Sequence, residues 1–91
     1  MKLSVVIPVY NEKKTLSELI CRVEAVKLEK EIIIVDDAST DGTRDLLKKY
    51  EEQERFKVIY QSKNAGKGSA LRAGVDKAEG EIIIVQDADL E

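Results

Sequence analysis

The chain has 91 residues, 43% of them hydrophobic and 36% charged, with one proline and five glycines; this suits one small α/β core and excludes disorder, collagen-like repeats and a loop-rich secreted scaffold. A net charge of -3 gives no basic field to draw in a polyanionic backbone, so no nucleic acid partner is expected and any phosphate must be held locally. Cys21 is the single cysteine and histidine is absent, which removes internal disulfides, zinc clusters and histidine acid–base schemes and points to a reducing cytoplasm.

The first apolar run, Leu3 to Tyr10, is far shorter than the roughly 20 residues needed to cross a bilayer, and so is every later one. Neither a signal peptide nor a membrane span is expected. After it, Leu16, Leu19, Ile20, Val23 and Val26 recur at helical spacing, and Thr15-Leu16-Ser17-Glu18 reads as a capping box. Cys21 falls inside this pattern beside Ile20 and is expected as a small core or boundary residue.

A second apolar run, Glu31 to Val35, is β-branched throughout its Ile-Ile-Ile-Val centre. The helix beginning around residues 40–43 should bury Leu46, Leu47 and Tyr50 and turn Lys48, Lys49, Glu51 and Glu52 to water. The third run is Phe56 to Tyr60. A helix over 66–78 then follows, expected to set Ala70, Leu71, Gly74, Val75 and Ala78 against the sheet. The last run, Glu81 to Val85, echoes the second, and both read as strands covered by helices on both faces. Strand alternating with helix implies a Rossmann-like, open, mostly parallel sheet with helices on both faces.

Parallel strands bring the segments after Tyr10, Val35 and Val85 to one carboxyl-end edge, where open α/β sheets bind ligands. That edge gathers Glu12, Asp36, Asp37, Asp87, Asp89 and Glu91, whose mutual repulsion calls for a cation. Asp87, Asp89 and Glu91 are oxygen ligands suited to Mg2+ or Mn2+ on a ligand diphosphate, although an acidic pair after a strand also serves turns and caps. One of Asp36 and Asp37 could read a nucleobase edge while the other meets backbone donors; Ser39 and Asp41 read as caps of the next helix. Tyr10 and Glu12 offer a wall for a base, or Tyr10 is an ordinary strand residue. The 64–69 segment, Asn-Ala-Gly-Lys-Gly-Ser, exposes backbone N–H groups that could favour an anion, but its spacing fits neither a Walker loop nor Gly-x-Gly-x-x-Gly.

Taken in order, Ile7-Pro8-Val9-Tyr10-Asn11-Glu12, Val35-Asp36-Asp37-Ala38-Ser39-Thr40-Asp41-Gly42-Thr43, Asn64-Ala65-Gly66-Lys67-Gly68-Ser69-Ala70 and Asp87-Ala88-Asp89 resemble family-two glycosyltransferases of the A-type fold, most of all dolichol-phosphate (polyprenyl-phosphate) mannosyl- or glucosyltransferases. The resemblance implies a nucleoside-diphosphate-sugar donor, a GDP- or UDP-sugar. Pro8, Tyr10, Glu12, Val35 and Asp37 would line its nucleoside pocket, with Asp37 on the base, and Asp87, Ala88 and Asp89 would face the diphosphate. The metal, Mg2+ or Mn2+, would sit on Asp89 and on Glu91, where several relatives have Gln. It further implies inverting transfer, an acceptor that includes polyprenyl phosphate, and association of the larger enzyme with the cytoplasmic face of a membrane.

Ala38 replaces the usual Gly of the second motif and is expected at an ordinary negative φ. The family's length implies that residues 1–91 are a nucleotide-sugar-binding half-domain, truncated after Asp-x-Asp and inactive alone. Rival readings are a non-catalytic packing unit that pairs through an open sheet edge as a homodimer, and a receiver-like phosphoacceptor domain. The receiver reading lacks an Asp after Tyr60, where Gln61-Ser62-Lys63 stand instead. A dehalogenase-like phosphatase would need its Asp-x-Asp to open the fold.

Overall fold

The computed structural model describes residues 2–86. Along the chain it forms β1 (Leu3–Val9), α1 (Leu16–Ala25), β2 (Lys30–Asp36), α2 (Thr43–Glu51), β3 (Phe56–Tyr60), α3 (Lys67–Lys77) and β4 (Ile82–Val85). The strands are all parallel in the order β3-β2-β1-β4. Winding proceeds outward from β1 to β3, and α3 then carries the chain back past β1, so the direction switches between β1 and β4.

Period-two alternation divides the apolar side chains between two layers. Val5, Ile7 and Val9 of β1 and Ile32 and Ile34 of β2 pack with Leu16, Leu19 and Ile20 of α1 and Leu47 and Tyr50 of α2. Val6, Ile33 and Val35 face the other way, against Ala70 of α3. Gly74 is what lets α3 lie so close, since a Cβ there would stand 2.5 Å from Val6 Cγ1 and 3.2 Å from Val35 Cγ2.

Several expectations are corrected here. β4 is not covered on both faces: Ile82, Ile83, Ile84 and Val85 are 41–47% exposed, because it lies at one end of the strand order and the apolar clusters of the described residues are built on β1, β2 and β3. Thr15 builds no capping box; its side chain makes no cap hydrogen bond, and its hydroxyl donates to Glu12 Oε2 at 3.2 Å. The turn preceding α1 begins earlier, with Leu16 N–H donating to Glu12 O at 2.9 Å.

Cys21 is exposed, since a one-residue step along a helix rotates the side chain by roughly 100° away from buried Ile20. Val26 is the C-cap of α1 and is exposed, and Val75 points outward from α3, which meets the sheet through the smaller Ala70 and Gly74. No helix among the described residues is long and apolar enough to cross a membrane.

The amino-end edge is held by a buried carboxylate. Glu31 is 3% exposed; its Oε2 accepts from Ser4 Oγ at 2.5 Å and from Glu79 N at 2.6 Å, and its Oε1 pairs with Lys57 Nζ at 2.9 Å. Burial alone would raise its pKa, but the Ser4 hydroxyl, the Glu79 amide and Lys57 together bring it from 4.5 down to about 2. A depressed carboxylate contributes stability that is fully present above the unfolded-state value and lost as pH falls. Stability should therefore decline between about pH 4.5 and pH 2, by an amount on the order of 2 kcal/mol. In urea titrations across this range Glu31→Gln should flatten the decline; an equally steep decline in the variant would refute the assignment.

Candidate functional site

The switch point lies between β1 and β4, and Pro8 marks the carboxyl end of β1 there. Even-numbered residues of β1 direct their main chain toward β4, as Gln86 N–H donating to Val6 O at 2.9 Å shows. Pro8 shares that parity and has no N–H, so the β1–β4 ladder loses a donor there while β1 continues to pair with β2 as far as Val9. Tyr10, 46% exposed, stands just past the end of β1 at this edge.

Two left-handed residues shape the loops around it: Asn11 at φ 51° and Ala38 at φ 64°. Asn is among the few residues that tolerate this region, and its side chain is used at once. Asn11 N–H donates to Ser39 Oγ at 2.9 Å, Asn11 Oδ1 accepts from Thr40 N at 2.7 Å, and Lys13 N–H donates to Asp41 Oδ2 at 3.2 Å. The loop after β1 and the loop after β2 are thereby fastened together.

The expected negative φ at Ala38 is overturned, because the chain must reverse after Asp37 to bring Ser39 onto Asn11, a turn that glycine makes without strain. Replacing Ala38 by Gly should stabilise the fold by about 0.5–1 kcal/mol, the relieved left-handed strain outweighing the extra unfolded-state entropy. An unchanged or lower urea midpoint would refute this. Ser39, expected as a cap of α2, is spent on Asn11; Asp41 instead accepts from Thr43 N at 3.0 Å, one residue ahead of the left-handed N-cap Gly42.

The two aspartates at the end of β2 are both buried and do different work. Asp36 is 0% exposed, and its Oδ2 takes Arg44 Nε at 2.5 Å. The same guanidinium donates to Gln61 O and lies 5.3 Å from the Tyr60 ring centroid. Asp36 Oδ1 and Gln61 Oε1 are buried acceptors without a protein partner among the described residues. Asp37 is 4% exposed; Oδ1 accepts from Ala65 N at 2.9 Å and Oδ2 from Gly66 N at 3.0 Å.

Both members of the pair meet backbone donors, since Asp36 Oδ2 also accepts from Ser39 N at 3.1 Å, and the anion-favouring reading of residues 64–69 is corrected at Ala65 and Gly66, whose N–H groups hold the Asp37 carboxylate already. The repulsion expected among the edge carboxylates is relieved at Asp36 by a guanidinium and at Asp37 by two amides. Burial, with Glu51 and Asp36 nearby, pushes the Tyr60 hydroxyl well above the usual phenol range.

Of the residues expected to line a nucleoside pocket, Tyr10 is exposed and Glu12 half-buried, while Pro8, Val35 and Asp37 are buried. Asp87, Ala88, Asp89 and Glu91 lie outside the described residues, and among the described residues no cluster of carboxylate or cysteine groups is arranged to hold a metal. Asn11, Arg44 and Gln61 were missed. Only Asn11 carried a local signal, an Asn directly after a strand; the role of Arg44 depends on a strand 17 residues further along the chain.

A family model for glycosyl transferase family 2 matches residues 4–91. The chain is 40% identical over 93 residues to a dolichol-phosphate mannosyltransferase of Pyrococcus furiosus, a match covering 100% of this chain and 26% of the relative. Among solved structures it is similar to S. aureus TarS 1-349 in complex with UDP, with a TM-score of 0.88 and 34% identity over 98% of this chain and 28% of that one. A mannosyltransferase from Pyrobaculum calidifontis in complex with GDP-Man and Mn2+ is similar with a TM-score of 0.87 and 29% identity, over 96% of this chain and 27% of that one. The chain therefore spans between a quarter and a third of the length of the relatives it matches.

Proposed function

This chain belongs to glycosyl transferase family 2, and from that premise we propose that it binds the nucleoside diphosphate of a sugar donor at the carboxyl-end edge of the sheet, by the switch point between β1 and β4. The observation that carries this reading is the gathering of Tyr10, Glu12, Asp36 and Asp37 at that edge, with Asp87-Ala88-Asp89 following Gln86 directly in the sequence. Tyr10 offers a ring face to a base and Glu12 an acceptor, over a floor of Pro8, Val35 and Asp37.

Asp87, Asp89 and Glu91 form an all-oxygen donor set that fits Mg2+ or Mn2+. Such an ion, when bound, supplies positive charge against the diphosphate that departs. Support for a GDP- or UDP-sugar comes from the complexes of the two similar structures, and for a polyprenyl-phosphate acceptor from the dolichol-phosphate relative. The reaction so read is inverting: acceptor oxygen attacks the anomeric carbon from the face opposite the diphosphate. An acceptor phosphate is anionic already and needs little help from a base, in keeping with a chain without histidine.

Calorimetric titration with UDP and with GDP, each with and without Mn2+, tests the reading. Weak binding of one nucleotide, strengthened by the ion and returned to the metal-free level in Asp89→Asn, is expected, with no sugar transfer by these 91 residues alone. Absence of heat with either nucleotide at millimolar concentration overturns the proposal, and turnover by the chain alone overturns its last part.

A further inference from the structure

We infer that Asp37 is a positioning residue that clamps the turn leading into α3, and through it sets where the loop between β3 and α3 stands at the carboxyl-end edge of the sheet. This deepens the nucleotide-binding reading and rests on it for its functional consequence, while the clamp itself is a property of the unliganded protein.

The start of α3 is poorly equipped by its own sequence. Its N-cap is Gly66, which has no side chain to cap with, no side-chain cap hydrogen bond is made, and the first turn carries no acidic residue. A helix start of this kind gets no cap from its own N-cap side chain and no acidic complement to the macrodipole from its own first turn. Asp37, just past β2 and 28 and 29 residues earlier, holds the turn that leads into α3: a buried carboxylate with one oxygen on Ala65 N–H and the other on Gly66 N–H.

Gly66 is there for its conformation. Its φ of 92° is left-handed, and a Cβ would meet nothing within 4 Å. The bend aims consecutive amides at a single carboxylate. The far end of the loop is fastened by the other aspartate at one remove, since Arg44 joins Asp36 to Gln61 O, and Gln61 Nε2 reaches Ser69 Oγ at 3.4 Å. Between these anchors Ser62, Lys63 and Asn64 are exposed. The Asp-Asp pair at the end of β2 thus holds both ends of a short loop whose middle faces solvent at the carboxyl edge of the sheet, and Asp37 governs where the end nearer α3 stands.

Amide hydrogen exchange on the whole 91-residue chain without ligand, combined with calorimetry, tests the clamp. In the native sequence the Ala65 and Gly66 amides should exchange roughly 10–100-fold more slowly than those of Lys63 and Asn64, the protection given by a charge-assisted hydrogen bond. Asp37→Asn should bring them level while amides of β1 and β2 stay protected, and should weaken nucleoside diphosphate binding by about tenfold. Asp37→Glu, which keeps the charge, should recover part of both.

Fast exchange at Ala65 and Gly66 in the native chain overturns the inference whether or not any variant folds. So does an Asp37→Asn variant that loses nucleotide affinity with the loop still protected, an outcome that assigns Asp37 to ligand contact alone. A native chain that binds no nucleotide yet shows the protected amides sinks the functional reading and leaves the clamp standing.

Discussion

Arg44→Ala should cost about 3 kcal/mol of folding stability, because it strands a carboxylate that is wholly buried. Asp36 is 0% exposed, and among the described residues its Oδ1 has no protein partner and Arg44 is its one cation in contact, which would leave only the Ser39 N–H, 3.1 Å from Oδ2, to hold the charge. The Asp36 oxygens cannot turn to solvent without opening β2, whose residue 36 pairs with Tyr60 of β3 and accepts Gln61 N–H on its own carbonyl. The guanidinium is over a third exposed, so water reaches the gap it would leave and holds the loss to the lower end of the range for broken buried pairs. For a domain of this size such a loss should lower the melting temperature by roughly 10–20 °C. Arg44→Lys should recover only part, since an ammonium cannot bridge Asp36 and the Gln61 carbonyl as a planar fork does. A melting temperature within a few degrees of the native value for Arg44→Ala would mean that water replaces the pair at no cost.

Gly80→Ala should be nearly as damaging, at roughly 2–3 kcal/mol, for reasons of space. A Cβ at this position would stand 2.6 Å from Ser4 Oγ and 2.9 Å from both the Leu3 carbonyl carbon and the Lys2 carbonyl oxygen. Two of those atoms belong to the backbone at the start of β1, which cannot move without shifting the register it shares with β4 and β2. Gly80 also donates its N–H to Ser4 Oγ at 2.8 Å, the hydroxyl that in turn donates to Glu31. Relief of the clash must push β4 away from β1. Thermal unfolding checks the size of the effect. A variant as stable as the native chain would show that the amino-end edge yields more readily than its packing implies.

These effects lie at opposite edges of one sheet, and the sequence foretold the edges unequally. At the carboxyl edge, the acidic residues after strand ends were visible from alternation alone, because a parallel sheet must bring those ends together. What each carboxylate does there was not visible. Asp36 and Asp37 are adjacent and chemically identical, yet one is neutralised by Arg44 from α2 and the other by amides ahead of α3. At the amino edge, Glu31 looked like the polar start of an apolar run; only folding brings Ser4, Lys57 and Glu79 onto it.

The misread details share a cause. Cys21 and Val75 were assigned by hydrophobicity within a helical window, but which side of a helix is covered depends on the size of the residues that meet the sheet, and α3 meets it through Ala70 and Gly74. Ala38 was expected to be ordinary because alanine usually is; the hydrogen bonds joining Asn11 to Ser39 and Thr40 hold it left-handed.

By itself, then, the sequence determined the strand and helix rhythm, the parallel sheet, the edge that collects Glu12, Asp36 and Asp37, and the family, since each follows from local periodicity or from motifs in order along the chain. Tertiary structure alone decided that β4 is exposed on both faces, that Arg44 and Asn11 matter, and that Asp37 faces the amides of a distant turn. Those outcomes depend on pairs of groups far apart in the chain, and no local pattern encodes which buried polar group will find which partner.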